Sequence, residues 1–214
     1  MSRPRVLLAD DHTLVLEGLR KIVEEQCDIV GMVEDGRTLI DAAQRLAPDV
    51  IVLDISMPLL NGLEAARQIK KTMPRIKMIF LTMHADPSYA TEAFQSGASG
   101  FLLKRSAVTE LGEAIRAVLN NNFYVTPLIA KDLLSPLVQM SPSAPPKGVK
   151  LTPRQREVLQ LVAEGKTIKD VANVLNISVK TVEFHKSQIM QQLDIRTTAE
   201  LTKYAITHKL VAME

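Results

Sequence analysis

The stretch VIVLDISMP, Val50 to Pro58, decides the fold of the first half of the chain. Its four leading residues are apolar without a break, a pattern that predicts a strand buried on both faces. Asp54 ends the run, and Pro58 has no backbone N–H with which to continue a ladder. A strand covered on both faces needs helices on both sides, so the stretch predicts a parallel sheet between two helical layers.

Short apolar runs of the same kind recur through the first 122 residues and alternate with amphipathic stretches. Strictly alternating β and α patterns predict an α/β fold, here a doubly wound five-stranded parallel sheet. The predicted strands are 5–10, 28–34, 50–54, 77–82 and 100–104, and the predicted helices lie near 13–25, 36–46, 62–73, 86–96 and 106–120.

A change in composition divides the chain. The segment SPSAPPKG, 141–148, holds three prolines and two serines and predicts a linker. Upstream of it, 126–140 shows apolar residues at helical spacing after a Thr-Pro start, which predicts a short connecting helix. We therefore expect a first domain over 1–122, a linker with a helix over 123–149 and a second domain over 150–214.

The second domain shows no strand pattern and is predicted to be a small all-α domain of four helices. Thr152, Pro153 and Gln155 form a capping signal at the start of the first helix, and Thr197 and Glu200 have the same spacing at the start of the last one. Between them lie a helix, a tight turn and a longer helix, which is the order of a helix-turn-helix.

Composition excludes several classes of protein. No segment reaches the roughly 20 apolar residues that a membrane span needs, so we expect no membrane association. The single cysteine, Cys27, has no intrachain disulfide partner and is expected to be a buried small side chain. These features favour a soluble cytoplasmic protein.

Charge is distributed unevenly along the chain. Residues 148–214 carry 10 Lys and Arg against 7 Asp and Glu, whereas residues 1–130 carry 14 Lys and Arg against 16 Asp and Glu. The modest basic excess therefore lies in the C-terminal part.

Polar side chains end four of the predicted strands. Asp10 and Asp11 follow the first strand and Asp54 ends the third, and in a doubly wound order these two strands are neighbours. Carboxylates crowded together either take up protons or hold a hard cation, for which Mg²⁺ is suited. Thr82 and Lys104, which end the fourth and fifth strands, supply a hydroxyl and a positive charge for a phosphoryl group.

With these groups in place, the Asp54 carboxylate is a competent nucleophile toward a phosphoryl donor. The alternative is that acidic strand ends are solvated turns, and for any one of these residues alone that interpretation is favoured. Five such residues in one pattern favour the site. His12 and His84 flank the acidic ends, where a metal ligand or a phosphorelay histidine is an alternative, but no pairing at ligand spacing supports either role, so surface roles are favoured.

Together these residues resemble the flavodoxin-like receiver domain of two-component response regulators. The match covers about residues 4–122 and lies in the Asp10-Asp11 pair, DISMPLLNG, LTMH and GFLLK. The resemblance implies that Asp54 is the phosphoacceptor, that Thr82 and Lys104 contact the phosphoryl group and that Phe101 is a switch aromatic moving with Thr82. It also implies a Mg²⁺ site made by Asp10, Asp11, Asp54 and the backbone carbonyl of Ser56.

The longer helix of the helix-turn-helix has one apolar and one polar face. At 100° per residue, Val182, Ile189 and Leu193 share the side expected to be core, and Phe184 lies opposite among polar side chains suited to major-groove contacts. A helical docking module with a solvated outer face would give the same pattern, so the wheel alone does not decide between the two.

The segments LTPRQREVL, GKTIKDVA and ISVKTVEFH resemble the LuxR-type DNA-binding domain of the NarL/FixJ family, over about residues 150–212. The resemblance implies a recognition helix over 178–193 and a final helix, 198–208, through which such domains pair. Gln155 stands where the family usually has Glu, and Gln191-Gln192 precede Leu193 where the family commonly has Lys. The implied contacts are Glu183, Phe184 and Ser187 to bases, and Lys180, Thr181 and Lys186 to the DNA backbone.

The resemblance implies a transcriptional response regulator. Its partners would be a sensor histidine kinase that phosphorylates Asp54 and double-stranded promoter DNA bound as a homodimer. It would not be an enzyme beyond its own phosphorylation and dephosphorylation. An aspartyl-nucleophile phosphatase would need a second Asp at position 56, which is Ser. A regulator that binds protein or RNA, or that switches without phosphorylation, stays an alternative.

Overall fold

The computed structural model describes residues 3–83, 85–130, 133, 151–208 and 210–211. The chain divides into two compact units, one holding residues 1–57 and 62–143 and the other holding 58–61 and 144–214. The predicted linker segment 141–148 and His84 lie outside the described residues.

The first unit alternates strands and helices as the sequence predicts, with element ends within about two residues of the expected ones. The strands are β1 (Arg5–Ala9), β2 (Asp28–Val33), β3 (Val50–Leu53), β4 (Lys77–Thr82), β5 (Gly100–Leu103) and β6 (Tyr124–Val125). The helices are α1 (Thr13–Val23), α2 (Gly36–Leu46), α3 (Gly62–Thr72), α4 (Pro87–Gln95) and α5 (Ala107–Leu119).

The sheet is parallel and doubly wound, but it has six strands within the described residues, so the prediction of five was wrong. The order is β2-β1-β3-β4-β5-β6. After α5 the chain returns beside β5, where Tyr124 N donates to Ser99 O at 3.1 Å and Thr126 N donates to Phe101 O at 3.0 Å. These bonds satisfy backbone groups on an otherwise open edge. A two-residue strand is too short to show a period in sequence.

The side chains of the strands alternate between two helical layers. Val6 and Leu8 of β1 belong to the core beneath α1 and α5, whereas Leu7 lies against Gly31 on the other face. Helices α1 and α5 pack together, as do α2 and α3. All four residues of β3 are fully buried, as expected for a central strand covered on both faces. Cys27 is buried, as predicted.

The second unit is helical, as predicted. Its helices are α6 (Pro153–Ala163), α7 (Ile168–Leu175), α8 (Val179–Gln192) and α9 (Thr198–Thr207). Both predicted capping boxes are present, Thr152 with Gln155 and Thr197 with Glu200. Such caps satisfy N–H groups that a helix start otherwise leaves unpaired.

The turn between α7 and α8 fixes the helix-turn-helix. Asn176 adopts the left-handed conformation at φ 51°, which ends α7, and Ser178 then caps α8 by accepting from Thr181 N at 3.1 Å. Of the predicted connecting segment 126–140, Thr126 precedes the helix, residues 127–130 and 133 are helical, and 131, 132 and 134–140 lie outside the described residues. No described helix is long and apolar enough to cross a bilayer.

Candidate functional site

The acidic ends of β1 and β3 meet at the point where the strand order reverses. Ala9 pairs with Leu53, and Asp54 N donates to Ala9 O at 2.9 Å, so the next residues, Asp10 and Asp54, are neighbours. Ligand sites of open α/β sheets form at this position because the loops on the two sides diverge there. The prediction that these carboxylates share one edge therefore agrees with the sheet order.

The Lys104 ammonium bridges the two carboxylates. Its Nζ lies 2.6 Å from Asp10 Oδ2 and 2.8 Å from Asp54 Oδ2. The Asp10 side chain is only 1% exposed and that of Lys104 only 11%. Water therefore screens these charges weakly, and their positions depend strongly on one another.

Two buried carboxylates share one cation, and the pKa values of Asp54 and Lys104 are both shifted from their ordinary values. Burial raises the pKa of the Asp54 carboxyl above its ordinary value, and attraction to Lys104 offsets this only in part. Burial disfavours the Lys104 ammonium, but attraction to Asp54 and Asp10 outweighs burial and raises the pKa of Lys104. The pocket therefore carries an excess of negative charge when both carboxyls are ionised.

The segment after Asp54 holds its carboxylate in place. Ile55 N donates to Asp54 Oδ1 at 2.6 Å, and Gly62 N donates to Ile55 O at 2.8 Å, closing the loop that follows β3. A Cβ at Gly62 would lie 1.9 Å from Asp54 O. Gly62, the last residue of DISMPLLNG, is thus required because two backbone segments approach each other closely there.

His12 is more involved in this edge than its sequence context indicates. Its Nδ1 lies 2.7 Å from Asp11 Oδ1 and 3.3 Å from Asp10 Oδ1, while its side chain is 67% exposed. His12 N also donates to Asp10 Oδ1 at 3.0 Å. The exposed ring agrees with the favoured surface position, and it also contacts the Asp pair. Adjacency to the Asp pair was the signal for this contact, because the turn after β1 folds the ring back.

The other predicted site residues of this unit lie at or near the same edge. Thr82 ends β4 and is 1% exposed, and it pairs in register with Leu103 of β5. Phe101 is fully buried, Ser56 is half-buried, and Met83, which follows Thr82, is 72% exposed. The fold thus brings Thr82 next to the strand that ends one residue before Lys104.

The donor set at this edge fits a divalent cation. Asp10 Oδ2 is buried and has no polar partner among the described residues beyond the Lys104 ammonium. One ligand atom from each of Asp10, Asp11 and His12 lies within 4.8 Å of the others. Carboxylate oxygens are the ligands that Mg²⁺ prefers, and a second cation would balance the excess negative charge.

In the second unit, α8 presents the two faces that its sequence predicts. Val182 and Ile189 are buried, Leu193 and His185 are half-buried, and Phe184 is 60% exposed. Among the predicted DNA contacts, four are exposed and two are half-buried: Lys180, Glu183, Phe184 and Ser187 are exposed, and Thr181 and Lys186 are half-buried.

Two polar contacts define the surroundings of this helix. Lys186 Nζ donates to Thr198 Oγ1 at 2.9 Å, at the start of α9. At the other end of α8, Gln155 Nε2 donates to Gln192 Oε1 at 3.0 Å. Two of the three residues that depart from the LuxR-type pattern, Gln155 and Gln192, therefore bind each other as a neutral amide pair between α6 and α8.

Two family models match the chain. The model of the response regulator receiver domain matches residues 6–116, and that of the bacterial regulatory proteins of the luxR family matches residues 149–205. Each interval coincides with one of the two patterns in the sequence.

Relatives match along nearly the whole chain. The transcriptional regulatory protein LiaR of Bacillus subtilis strain 168 is 37% identical over 209 residues, which cover 97% of this chain and 99% of LiaR. A solved structure of the Salmonella typhimurium RcsB response regulator has a TM-score of 0.63 at 31% identity and covers 97% of this chain and 98% of RcsB. A structure of two RcsB dimers bound to two parallel DNAs has a TM-score of 0.58 at 30% identity, with coverages of 95% and 98%.

The α/β sheet with its acidic edge, the helix-turn-helix and the two matching family models lead to one assignment. This chain belongs to the NarL/FixJ family of two-component transcriptional response regulators, with a receiver domain followed by a LuxR-type domain.

Proposed function

We propose that this regulator is switched by phosphorylation of Asp54 and that its second domain binds promoter DNA as a homodimer. The observation that carries the proposal is the Lys104 ammonium between the buried carboxylates of Asp10 and Asp54. A lysine charge fixed within reach of a nucleophilic carboxylate is what an incoming phosphoryl group requires.

In the proposed step, a carboxylate oxygen of Asp54 forms a bond to phosphorus while the bond from phosphorus to the donor breaks. The donor is a phosphohistidine of a sensor histidine kinase, whose imidazole nitrogen leaves with the bonding electron pair. The product is an acyl phosphate, and attack of water on its phosphorus returns the Asp54 carboxylate and inorganic phosphate. This self-phosphorylation and hydrolysis is the whole of the proposed chemistry, which is not that of a multiple-turnover enzyme.

Side chains of this edge have defined parts in the step. Lys104 neutralises charge on the phosphoryl oxygens, and Thr82 supplies a hydroxyl at the end of the adjacent strand. Asp10, Asp11, Asp54 and the Ser56 carbonyl would hold Mg²⁺, which would neutralise further charge on the phosphoryl oxygens. The raised pKa of Asp54 supports this role for the cation, because a second positive charge would favour the ionised, nucleophilic carboxylate.

The switch proposed for Thr82 and Phe101 rests on their places in the sheet. Thr82 lies one strand away from Lys104, and Phe101 is buried in β5 two residues before Leu103. A phosphoryl group adds about −1.5 to −2 charges beside both strands. Movement of Thr82 toward it would open space for the Phe101 ring and change the surface formed by the last strands and helices of the receiver.

The DNA-binding part of the proposal rests on α8. Phe184 is 60% exposed on the polar face of this helix, where its ring would contact a base or a thymine methyl group. Glu183 and Ser187 are exposed beside it, and Lys180, Thr181 and Lys186 would contact phosphates. RcsB, a relative, has been solved as dimers on DNA. Two such helices span half-sites about 34 Å apart, so the target would be an inverted repeat read in the cytoplasm.

Labelling tests the phosphorylation. The full chain is incubated with acetyl phosphate and MgCl₂, and acyl phosphate is measured by intact mass and phosphate-affinity gels. We expect labelling of the wild type that disappears with EDTA and in Asp54→Ala. Equal labelling of Asp54→Ala would remove Asp54 from its role, and no labelling of the folded wild type by acetyl phosphate or by a cognate kinase would support a switch without phosphorylation.

DNA binding is tested by selection of duplexes from a random pool, followed by titration at several salt concentrations. We expect an enriched inverted repeat and an affinity that falls as salt rises, since each phosphate contact releases counterions. Phosphorylated protein should bind more tightly or as a different oligomer than Asp54→Ala. If no DNA sequence is enriched and the protein binds RNA or another protein instead, that molecule and not DNA is the partner of the second domain.

A further inference from the structure

The residue at the exit of the receiver sheet, Thr126, has contacts that the proposed switch does not use. It follows β6, is fully buried, and its N–H donates to Phe101 O at 3.0 Å, as the last bond of the β5–β6 ladder. Its carbonyl accepts from Ile129 N at 2.9 Å and from Ala130 N at 3.1 Å. Thr126 therefore both completes the β5–β6 ladder and accepts the first hydrogen bonds of the helical turn that begins at Pro127.

This double role leaves one N–H of β5 without its regular partner. Hydrogen bonds between parallel strands are evenly spaced, so the next bond of the ladder would join Leu103 N–H to the Thr126 carbonyl. That carbonyl already accepts from the helical turn, which begins at Pro127. The Thr126 side-chain hydroxyl takes the place of the carbonyl as the acceptor, because Leu103 N donates to Thr126 Oγ1 at 3.3 Å. A hydroxyl is required here because a buried N–H without an acceptor is costly.

The same hydroxyl also binds a residue of helix α5. Thr126 Oγ1 donates to Glu110 Oε2 at 2.8 Å on α5, and Tyr124 OH lies 3.4 Å from the same carboxylate oxygen. The donor and acceptor capacities of the hydroxyl are thus both used, and a charged acceptor strengthens its orientation. Thr126 ties together the end of β5, helix α5 and the start of the chain that leads to the second domain.

Leu103 is the residue before Lys104. On its other side it pairs with Thr82 of β4. The backbone that presents the Lys104 ammonium is therefore held between Thr82 and Thr126.

We propose that Thr126 is a positioning residue for Lys104, so that the first residues beyond the receiver sheet belong to the geometry of the phosphoryl site. The inference rests on the proposed phosphorylation of Asp54 and extends it. Because coupling between two sites is reciprocal, a change at the phosphoryl site that shifts β5 also changes the hydrogen bonds between β5 and Thr126. The position of the chain that follows Thr126 then changes as well. Conversely, loosening Thr126 misplaces Lys104.

The test compares substitutions at Thr126 in the full chain. Thr126→Val keeps the shape and removes the hydroxyl, whereas Thr126→Ser keeps the hydroxyl. We expect acetyl phosphate with MgCl₂ to label Thr126→Val about tenfold more slowly than the wild type, and Thr126→Ser within about twofold of it, because a small displacement of a charge-stabilising group costs this much. Thr72→Val is the control, since Thr72 Oγ1 donates to Gln68 O on α3, away from the site.

Readouts besides the rate separate positioning from a general loss of stability. Labelling is measured per folded molecule, with the folded fraction taken from urea unfolding, and hydrogen exchange is followed over 100–106 with and without phosphorylation. Thr126→Val should exchange faster in this segment and lose the difference between the two states. If Thr126→Val does not fold, comparison of Thr126→Ala with Thr126→Ser tests the role of the same hydroxyl.

Two results would overturn the inference. One is labelling of folded Thr126→Val, or of folded Thr126→Ala, at the wild-type rate. The other is Thr126→Ser as slow as Thr126→Val, which would assign the effect to packing. Failure of the wild type to be labelled at all would instead overturn the proposed function, so the two failures are distinguishable.

Discussion

The Lys104 ammonium lies 2.8 Å from Asp54 Oδ2, although the two residues are 50 positions apart in the chain. The same nitrogen lies 2.6 Å from the buried Asp10 carboxylate. One cation between two buried anions makes the charge of this edge sensitive to each of the three groups.

Replacing Lys104 by Met should slow labelling of Asp54 by acetyl phosphate about 100-fold, because it removes a fixed positive charge from the site of charge development. The rate is measured by intact mass at saturating MgCl₂. Lys77→Met is the matched control, since Lys77 Nζ donates to Asn121 Oδ1 away from the acidic edge, and it should be labelled normally. Wild-type labelling of Lys104→Met would exclude Lys104 from the step.

Replacing Asp54 by Asn should raise the free energy of unfolding increasingly with pH when divalent cations are removed. The pKa of Asp54 is raised in the folded chain above the ordinary 3.8, mainly by burial. Between these two values the folded state binds more protons than the unfolded one, so wild-type stability falls as pH rises through this window. Asn does not titrate and escapes that loss.

The measurement is urea unfolding of both proteins in EDTA at several pH values from 4 upward. Asp41→Asn, on the exposed side of α2, is the control and should follow the wild type. Adding MgCl₂ should narrow the difference, since the cation stabilises the folded wild type. A difference between Asp54→Asn and wild type that stays constant with pH would contradict the prediction.

Replacing either of two glycines by alanine should change the free energy of unfolding, in opposite directions at the two positions. At Gly62 the new Cβ would meet Asp54 O at 1.9 Å, so Gly62→Ala should cost about 3 kcal/mol of unfolding free energy. At Gly18, inside α1, a Cβ would meet nothing within 4 Å, so Gly18→Ala should gain about 0.5 to 1 kcal/mol. Urea unfolding of both variants checks the pair, and equal effects would show that backbone crowding at Gly62 is unimportant.

Two apolar residues of α8 should separate DNA binding from folding. Phe184 is 60% exposed, so Phe184→Ala should leave stability unchanged and lower affinity for the selected DNA about tenfold by removing a base contact. Val182 is fully buried, so Val182→Ala should cost about 2 kcal/mol of unfolding free energy. Fluorescence anisotropy with labelled duplex and urea unfolding give the two quantities. Unchanged DNA affinity of Phe184→Ala would assign its exposed ring to another partner.

The α/β class and the strands of the receiver were predictable because apolar runs and helical periods are local properties of the sequence. The acidic ends of β1 and β3 were assigned to one edge from the topology that alternating patterns imply. The two capping boxes of α6 and α9 followed from residue types three positions apart. In each case the deciding interaction acts over a few residues, or through a rule of chain connection.

Other features depend on groups that approach from distant parts of the chain. Strand β6 has only two residues and forms because β5 offers an open edge. The contacts of His12 with the Asp pair depend on how the turn after β1 folds. The Gln155–Gln192 pair joins two helices whose spacing in sequence says nothing of their contact.

The sequence by itself determined which residues carry charge or a hydroxyl and at which end of each strand or face of each helix they stand, since periodicity and connection rules act along the chain. Only the tertiary structure decided that Lys104 lies between Asp10 and Asp54, and that the Thr126 hydroxyl takes the place of a carbonyl beside Leu103. Hydrogen bonds and ion pairs need partners placed to within tenths of an ångström, and that placement comes from packing of the whole domain.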